Sequence, residues 1–479
     1  MTPLRRAIPA LGLLAAACAG GPLDPHYHRP PAPIPATFPT GASYGIQAAG
    51  AVPEPWRQVF LGPKLRGVIE ETLAESRDLR VAVAQVSAAQ AQFHNQRAAL
   101  LPAINGDASA IYAKEYFGLP GVPSFNLREY AISAGTTSYQ LDLFGRIHSL
   151  TRAAFEQYLA TRAGRQAEEL TVIAQAATDW LTLASDISLL RVSQTTLASG
   201  QTSLDLANAR LSGGVGTGLD VANAKTVVEQ ARSDIGRYKT QVAQDKNALD
   251  LVVGASVPAS LLPTGIDDPD ARLTTVPGAL TSAVLLQRPD VIQAEDQLRA
   301  DNANIGAARA AFFPSISLTG SGGTTTASFN QLFAPGTAVW SFMPTISVPI
   351  FDGGANIANL AYAKAQDRIA LAQYEKAVQT AFRETADALA AQGVINERLD
   401  AQNGLVDAAA ESLRLSTALY DHGQDTYLDV LTAQRTLYAA QQTQVSTQLI
   451  AASNIVTLYK VLGGGLGQQS GASPSQTSR

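Results

Sequence analysis

Two glycine-bearing turns, LSGGVGTGLDVANA (211–224) and LYDHGQDTYLDVLTAQ (419–434), hold the residues of this chain whose types and spacing bear on chemistry. Asp220 lies in the first; Asp425 and Asp429 lie in the second, which Tyr420 and Tyr427 bracket. A carboxylate beside a turn has two uses. It can cap the free amides of the helix that follows, or it can stand as a fixed negative charge that favours cations. Asp220 and Asp429 fit either use, whereas Asp425 fits the second better. The glycines of SGGVGTG do not make a phosphate loop, because no Lys-Ser/Thr pair follows and no strand precedes. His26, His28, His94, His148 and His422 are scattered without ligand spacing, so no metal site is expected. No motif combines a nucleophile, a base and an orienting group, and paired acids such as Glu168-Glu169 read as a solvated helix face. Neither catalysis nor a cofactor is expected.

Composition narrows the partners. Of 479 residues only 16% are charged and 6% aromatic, and the net charge of −5 comes without a Lys/Arg cluster able to neutralise phosphates. Nucleic acid is therefore not an expected partner. The segment 1–17 has Arg5 and Arg6, then an apolar core, then small residues, which is the pattern of an export signal and too short to span a bilayer. Cys18 is the single cysteine, so no intrachain disulfide can form. The stretch LAAAC resembles a bacterial lipobox, in which this cysteine becomes the acylated first residue; Ala19, where an Asp would suggest inner-membrane retention, points to the outer membrane. Ordinary cleavage with Cys18 incidental is the alternative.

The elements that must position the two turns come in duplicate. RAALLP (97–102) corresponds to RAAFFP (309–314), Leu219-Asp220-Val221 to Leu428-Asp429-Val430, and Gly254 to Gly463. A Pro-rich segment, 18–63, precedes the first repeat (64–254); a linker, 255–279, separates it from the second (280–463), and 464–479 reads as a flexible tail. Each repeat reads as a helix, two strands, a very long helix, a turn and a helix. The strands are expected at 103–113 and 128–140, and at 314–324 and 338–349; the helices that follow at 145–211 and 220–253, and at 355–420 and 429–462. Leu183, Leu190, Leu197, Leu204 and Leu211 recur every seven residues, a coiled-coil signature kept more loosely by Leu399, Val406, Leu413 and Tyr420. A helix over 145–211 would be on the order of 100 Å long, and the shorter ones about 50 Å, so two short helices stacked end to end match one long one.

The strands alternate differently from the helices. Trp340, Phe342, Ile346 and Val348 fall on one face, with Ser341, Thr345 and Ser347 on the other. That is the pattern of strands with one face to lipid and one to a polar lumen, or of a soluble sandwich with one wet face. Four strands cannot shed their own edges, and the smallest membrane barrels use about eight, so closure must come from other copies; three would supply about twelve strands. Pro102 and Pro314 stand where helix gives way to strand, and Phe144-Gly145 and Phe351 with Gly353-Gly354 where strand returns to helix.

With these residues in view the chain resembles the outer-membrane factor family of efflux systems, in the lipoprotein branch that works with resistance-nodulation-division pumps. The second repeat carries the motifs: GALTSAVLLQRPDV (278–291), FPSISLTG (313–320), PIFDGG (349–354), QTAFRETADAL (379–389) and YLDVLTAQRTL (427–437). The resemblance implies a homotrimer with a β-barrel in outer-membrane lipid, continued by a periplasmic α-helical barrel. It also implies a periplasmic adaptor and an inner-membrane pump as partners. The two turns would then form the periplasmic end, where each inward Asp becomes a ring of three, and Asp425, Asp429, Asp220, Tyr420 and Tyr427 would line the constriction. Relatives commonly carry an arginine next to the first tyrosine; here Leu419 and Asp421 stand there, and Arg210 of the other repeat is the available substitute. An exit channel for type I protein secretion shares this architecture, and a purely structural periplasmic coiled-coil lipoprotein is the rival from another class.

Overall fold

The computed structural model describes residues 22–44, 55–115, 123–271, 273–274 and 281–464; the signal segment 1–17, Cys18 and the tail beyond Gly464 lie outside them. The chain divides into two compact units, each built from both repeats.

The first unit comprises residues up to Pro31, Gln85–Arg162 and Gln293–Tyr374. It holds four strands, β1 (Asn105–Glu115), β2 (Phe125–Leu141), β3 (Ser315–Thr326) and β4 (Ala338–Ser347), in one antiparallel sheet of order β1-β2-β3-β4. Register gathers Ala108 opposite Ile132, Ala134 opposite Gly322, Gly322 opposite Trp340 and Gly320 opposite Phe342 on one face, while Ile111, Val339 and Met343 fall on the other. The other face carries Asp107, Ser133, Ser321 and Ser341, the last two hydroxyls meeting at 2.9 Å.

Strand β2 keeps to this scheme only through a bulge. Thr136 faces Gly320 and Tyr139 faces Leu318, so β2 advances three residues while β3 advances two, and Ser138 takes a left-handed φ of 58°. One extra residue turns the odd-numbered Tyr139 and Leu141 onto the face of the even-numbered Tyr130 and Ile132. The apolar face is bare: Trp340 is 83% exposed, Phe342 63% and Ile346 66%. A sheet whose large apolar side chains face outward has not found its core within one chain.

The helices of the described chain are α1 (Pro63–Glu75), α2 (Arg77–Ala98), α3 (Arg146–Ser212), α4 (Gly218–Val253), α5 (Pro289–Ala310), α6 (Ala355–Asp421) and α7 (Tyr427–Val461), besides a single turn at Trp56–Val59. Pro63 at the first position of α1 needs no amide partner, and extended backbone at Ser76 separates α1 from α2. Helix α4 ends on Gly254 at φ 81°, and the matching Gly463 after α7 has φ 85°, so the repeated glycines serve as left-handed helix stops.

The second unit comprises Ala32–Ala84, Ala163–Ile292 and the chain from Glu375. Its core gathers Leu65 and Ile69 of α1, Ile173, Trp180 and Leu183 of α3, Leu249 and Val253 of α4, and Val456 and Tyr459 of α7. Trp180 is fully buried and donates its indole N–H to the Leu261 carbonyl at 2.9 Å, which ties the segment after α4 to α3. Burial along the heptad fades: Leu183 is buried, Leu190, Leu197 and Leu204 half-buried, and Leu211 exposed. Among the described residues no helix is long and apolar enough to cross a membrane.

Candidate functional site

The two turns named at the outset come together within the second unit. Ala207 of α3, Ala224 and Val227 of α4, Tyr420 of α6, and Tyr427, Val430 and Leu431 of α7 form one buried cluster, with Leu204, Val221 and Leu413 against it. Tyr420 and Tyr427 pack edge to face at 5.5 Å. Burial first, and the neighbouring Tyr420 after it, push the Tyr427 hydroxyl above the usual tyrosine range. Arg210, in the last turn of α3, lies with its guanidinium 4.2 Å over the Tyr420 ring and donates through Nη1 to the Tyr420 carbonyl at 3.1 Å. A cation over an aromatic face, joined to the carbonyl of the same residue, links the end of one repeat's long helix to the end of the other's.

The three aspartates have different surroundings. Asp220 belongs to a capping box: its carboxylate accepts from the Thr217 amide at 3.0 Å while the Thr217 hydroxyl accepts from the Asp220 amide at 3.1 Å. Its charge is committed to the start of α4. Asp429 accepts from the Thr426 hydroxyl at 2.5 Å, and that bond, with Asp425 as the second cause, holds its carboxyl below the ordinary range. Asp425 accepts from the neighbouring Thr426 amide at 2.8 Å, faces the Asp429 carboxyl, and is half-buried. Of the three it is the carboxylate least occupied by its own helix.

The helix-strand junctions lie in the first unit. Pro102 falls between α2 and β1, and Pro314 between α5 and β3. Tyr139 of β2 donates to the Leu100 carbonyl at 3.0 Å, which satisfies an acceptor left open where α2 stops. Phe144 stacks on Phe313 at 4.8 Å, whereas Phe351 is 91% exposed. Gly145, Gly353 and Gly354 have φ of 72°, 66° and 90°, values that only glycine takes without strain.

Two aspartates at the junctions start the long helices, Asp142, which the sequence reading did not single out, and Asp352, which it placed at the return junction without a capping role. Asp142 accepts from the His148 amide at 2.8 Å at the start of α3, and Asp352 accepts from the Asn356 amide at 2.8 Å at the start of α6. Burial works against the Asp142 charge, but the His148 bonds outweigh it and hold the carboxyl low. An Asp a few residues ahead of a long apolar-periodic run is the signal that would have found both. A second unread group lies higher on the helices of the second unit: Asp234 and Tyr238 of α4, Ser193 of α3, and Tyr438 of α7. Among the described residues no group of three or more His, Cys, Asp or Glu is arranged to hold a metal.

Comparison with known proteins gives this arrangement its context. The family profile described as "Outer membrane efflux protein" matches residues 68–255 and 280–464. The chain is 39% identical over 483 residues to the toluene efflux pump outer membrane protein TtgC of Pseudomonas putida, covering 99% of each. It is 37% identical over 456 residues to outer membrane protein OprJ of Pseudomonas aeruginosa, covering 95% of this chain and 94% of that one. Among solved structures, a membrane protein from Pseudomonas aeruginosa superposes with a TM-score of 0.85 at 36% identity, covering 92% of this chain and 97% of that one. The open state of the Neisseria gonorrhoeae MtrE outer membrane channel does so with a TM-score of 0.84 at 34% identity, covering 93% and 98%.

Proposed function

Since this chain belongs to the outer membrane efflux protein family and is the outer-membrane component of an efflux system, we propose that three copies close a barrel through which small molecules leave the cell. The observation that carries the proposal is the bare sheet: four strands with an exposed apolar face, a polar opposite face and open edges at β1 and β4. Three such sheets supply about twelve strands, enough to close a barrel with lipid outside and water within. The long helices continue the duct into the periplasm, and the two turns close its end. There the Arg210 to Tyr420 link holds the two repeats together, and a ring of Asp425, with Asp429 behind it, favours cations at the constriction.

In this reading the chain does no chemistry and needs no cofactor. Energy enters through an inner-membrane pump, and a periplasmic adaptor joins the pump to the helical end. Relatives named for toluene and antibiotic efflux favour small-molecule export over protein secretion. Cys18 carries the acyl anchor that tethers each copy to outer-membrane lipid. The test is reconstitution: the purified protein should run as a trimer by light scattering and conduct cations in planar bilayers. A monomer in mild detergent, or a trimer that passes no current even after the Arg210 link is removed, would overturn the channel.

A further inference from the structure

Conduction makes no use of the outward end of the sheet. Residues 327–337, ASFNQLFAPGT, join β3 to β4 in a tight self-bonded loop: the Leu332 amide donates to the Phe329 carbonyl, the Ala334 amide to Gln331, and the Thr337 hydroxyl to Leu332 and Ala334. Leu332 fills the inside of the loop at 4% exposure, while Phe329 and Phe333 point outward at 70% and 78%. A loop this ordered that turns two phenylalanines away from itself presents them to something apolar.

The neighbours identify what that is. Phe329 packs edge to face on Tyr130 at 5.6 Å, and Tyr130 does the same with Tyr112 at 5.7 Å, their hydroxyls 2.5 Å apart. Register places Tyr130 and Tyr112 on the face that bears Ala108, Ile132, Trp340 and Phe342, so the loop extends the sheet's apolar face. Beyond them the same face ends in exposed cations, Arg128 opposite Tyr112 and Lys114 opposite Asn126. Going outward, the surface passes from apolar side chains, Trp340 and Phe342 among them, through the two tyrosines to the cations. That is the sequence of environments met from the acyl core of a bilayer, through its interface, to the headgroup phosphates.

We propose that the β3 to β4 loop is a lipid anchor: Phe329 and Phe333 enter the acyl chains of the outer leaflet just below the headgroups, and Arg128 and Lys114 lie level with the phosphates. The anchor rests on the reading of the sheet as part of a membrane barrel, and it would fix how deep the barrel rides in the leaflet.

The chain's three tryptophans make the test direct. Trp56 and Trp180 are buried, at 5% and 0%, so Trp340 is the one native indole on the lipid face. In a Trp340→Phe background, Phe329→Trp and Phe333→Trp are reconstituted as trimers in phosphatidylethanolamine/phosphatidylglycerol bilayers with brominated acyl chains. With the emission of Trp56 and Trp180 in the Trp340→Phe parent subtracted, that of the added indole should fall by about twofold or more with bromines near the glycerol end, and less with bromines near the methyl end. Quenching by aqueous iodide instead would place the loop in water. Quenching by neither agent would place it against a second copy, and either outcome overturns the anchor. Trp340 in the otherwise native chain separates the two readings: if it too escapes the bromines, the barrel fails and not merely the anchor.

Discussion

Tyr438 on α7 donates its hydroxyl to Asp234 Oδ2 on α4 at 2.9 Å, and the same hydroxyl meets Ser193 Oγ on α3 at 2.9 Å. One side chain of the second repeat is thereby bound to both helices of the first. Asp234 is 5% exposed and keeps two further partners, Arg237 at 3.0 Å and Gln230 at 3.1 Å. This is a fully engaged polar junction about 11 residues, or roughly 16 Å, along α7 from Tyr427. Tyr438→Phe removes the junction while leaving Asp234 its other bonds, so the expected loss is about 1 kcal/mol of stability, read as a lower thermal midpoint. Asp234→Ala, which takes one acceptor from Tyr438, Arg237 and Gln230 at once, should cost more.

Nearer the turn, Arg210 offers a link of a different kind. Its cation–π contact with Tyr420 is worth about 0.5 to 2 kcal/mol, and its charged hydrogen bond to the Tyr420 carbonyl about 1.5 to 3 kcal/mol. Those sums are small enough for a docking partner to overcome and large enough to keep the turns together without one. Arg210→Ala should raise open probability in planar bilayers. Arg210→Lys, which keeps the charge and loses the planar group, should give an intermediate rise. Conductance indistinguishable from the parent in both variants would leave the link without a part in closure.

Asp425 and Asp220 should separate in the same bilayers. Asp425→Ala removes a carboxylate that belongs to no capping box and should raise conductance and weaken cation selectivity. Asp220→Ala should mainly cost the α4 cap, about 1 kcal/mol, because Thr217 holds its carboxylate. Unchanged conductance and selectivity after Asp425→Ala would remove that residue from the constriction.

How much of this was legible varies with the physics involved. Alternation in β4 could be read directly, since Trp340, Phe342 and Ile346 keep a period of two with no interruption. Strand β2 could not be read as cleanly, because the bulge at Thr136 to Tyr139 shifts the period halfway along, and nothing short of pairing with β3 reveals where. The heptads of α3 gave the helix but not its neighbours: Trp180 is buried under Leu261, which is 81 residues away. The contact of Arg210 with Tyr420 likewise spans 210 residues; the family resemblance pointed to Arg210 as the available arginine but not to the ring and carbonyl it meets. Asp142 and Asp352 are legible as caps because each stands a few residues ahead of a long apolar-periodic run.

Which face of the sheet meets lipid is open to a paired test. Phe342→Arg puts a charge on the apolar face in the middle of β4, where a barrel in a bilayer loses about 2 to 4 kcal/mol. Thr345→Arg puts the same charge on the polar face and should be tolerated. The readout is the amount of trimer recovered from outer-membrane fractions: strongly reduced for Phe342→Arg and near the parent level for Thr345→Arg. Equal recovery would reverse or dissolve the assignment of faces.

Acid should favour one part of the helical unit. Asp186 of α3 is 9% exposed, and burial, with the facing Asp245 of α4 as the next cause, pushes its carboxyl up to about 7; Arg237 opposes this without prevailing. Asp245 Oδ2 is itself buried without a hydrogen-bond partner. A carboxyl raised on folding binds its proton more tightly in the folded chain than in the unfolded one, whose value is about 3.9. Its stabilising contribution is therefore complete below about pH 4 and is lost as pH rises through about 7. Asp186→Asn removes the titrating group while leaving an amide that can donate to Asp245. The variant should melt higher than the parent at about pH 8, and the gap should close as the pH is lowered toward 4. Circular-dichroism melts of both proteins in detergent across that range supply the check; a gap that does not change with pH would mean that Asp186 and Asp245 do not share a proton.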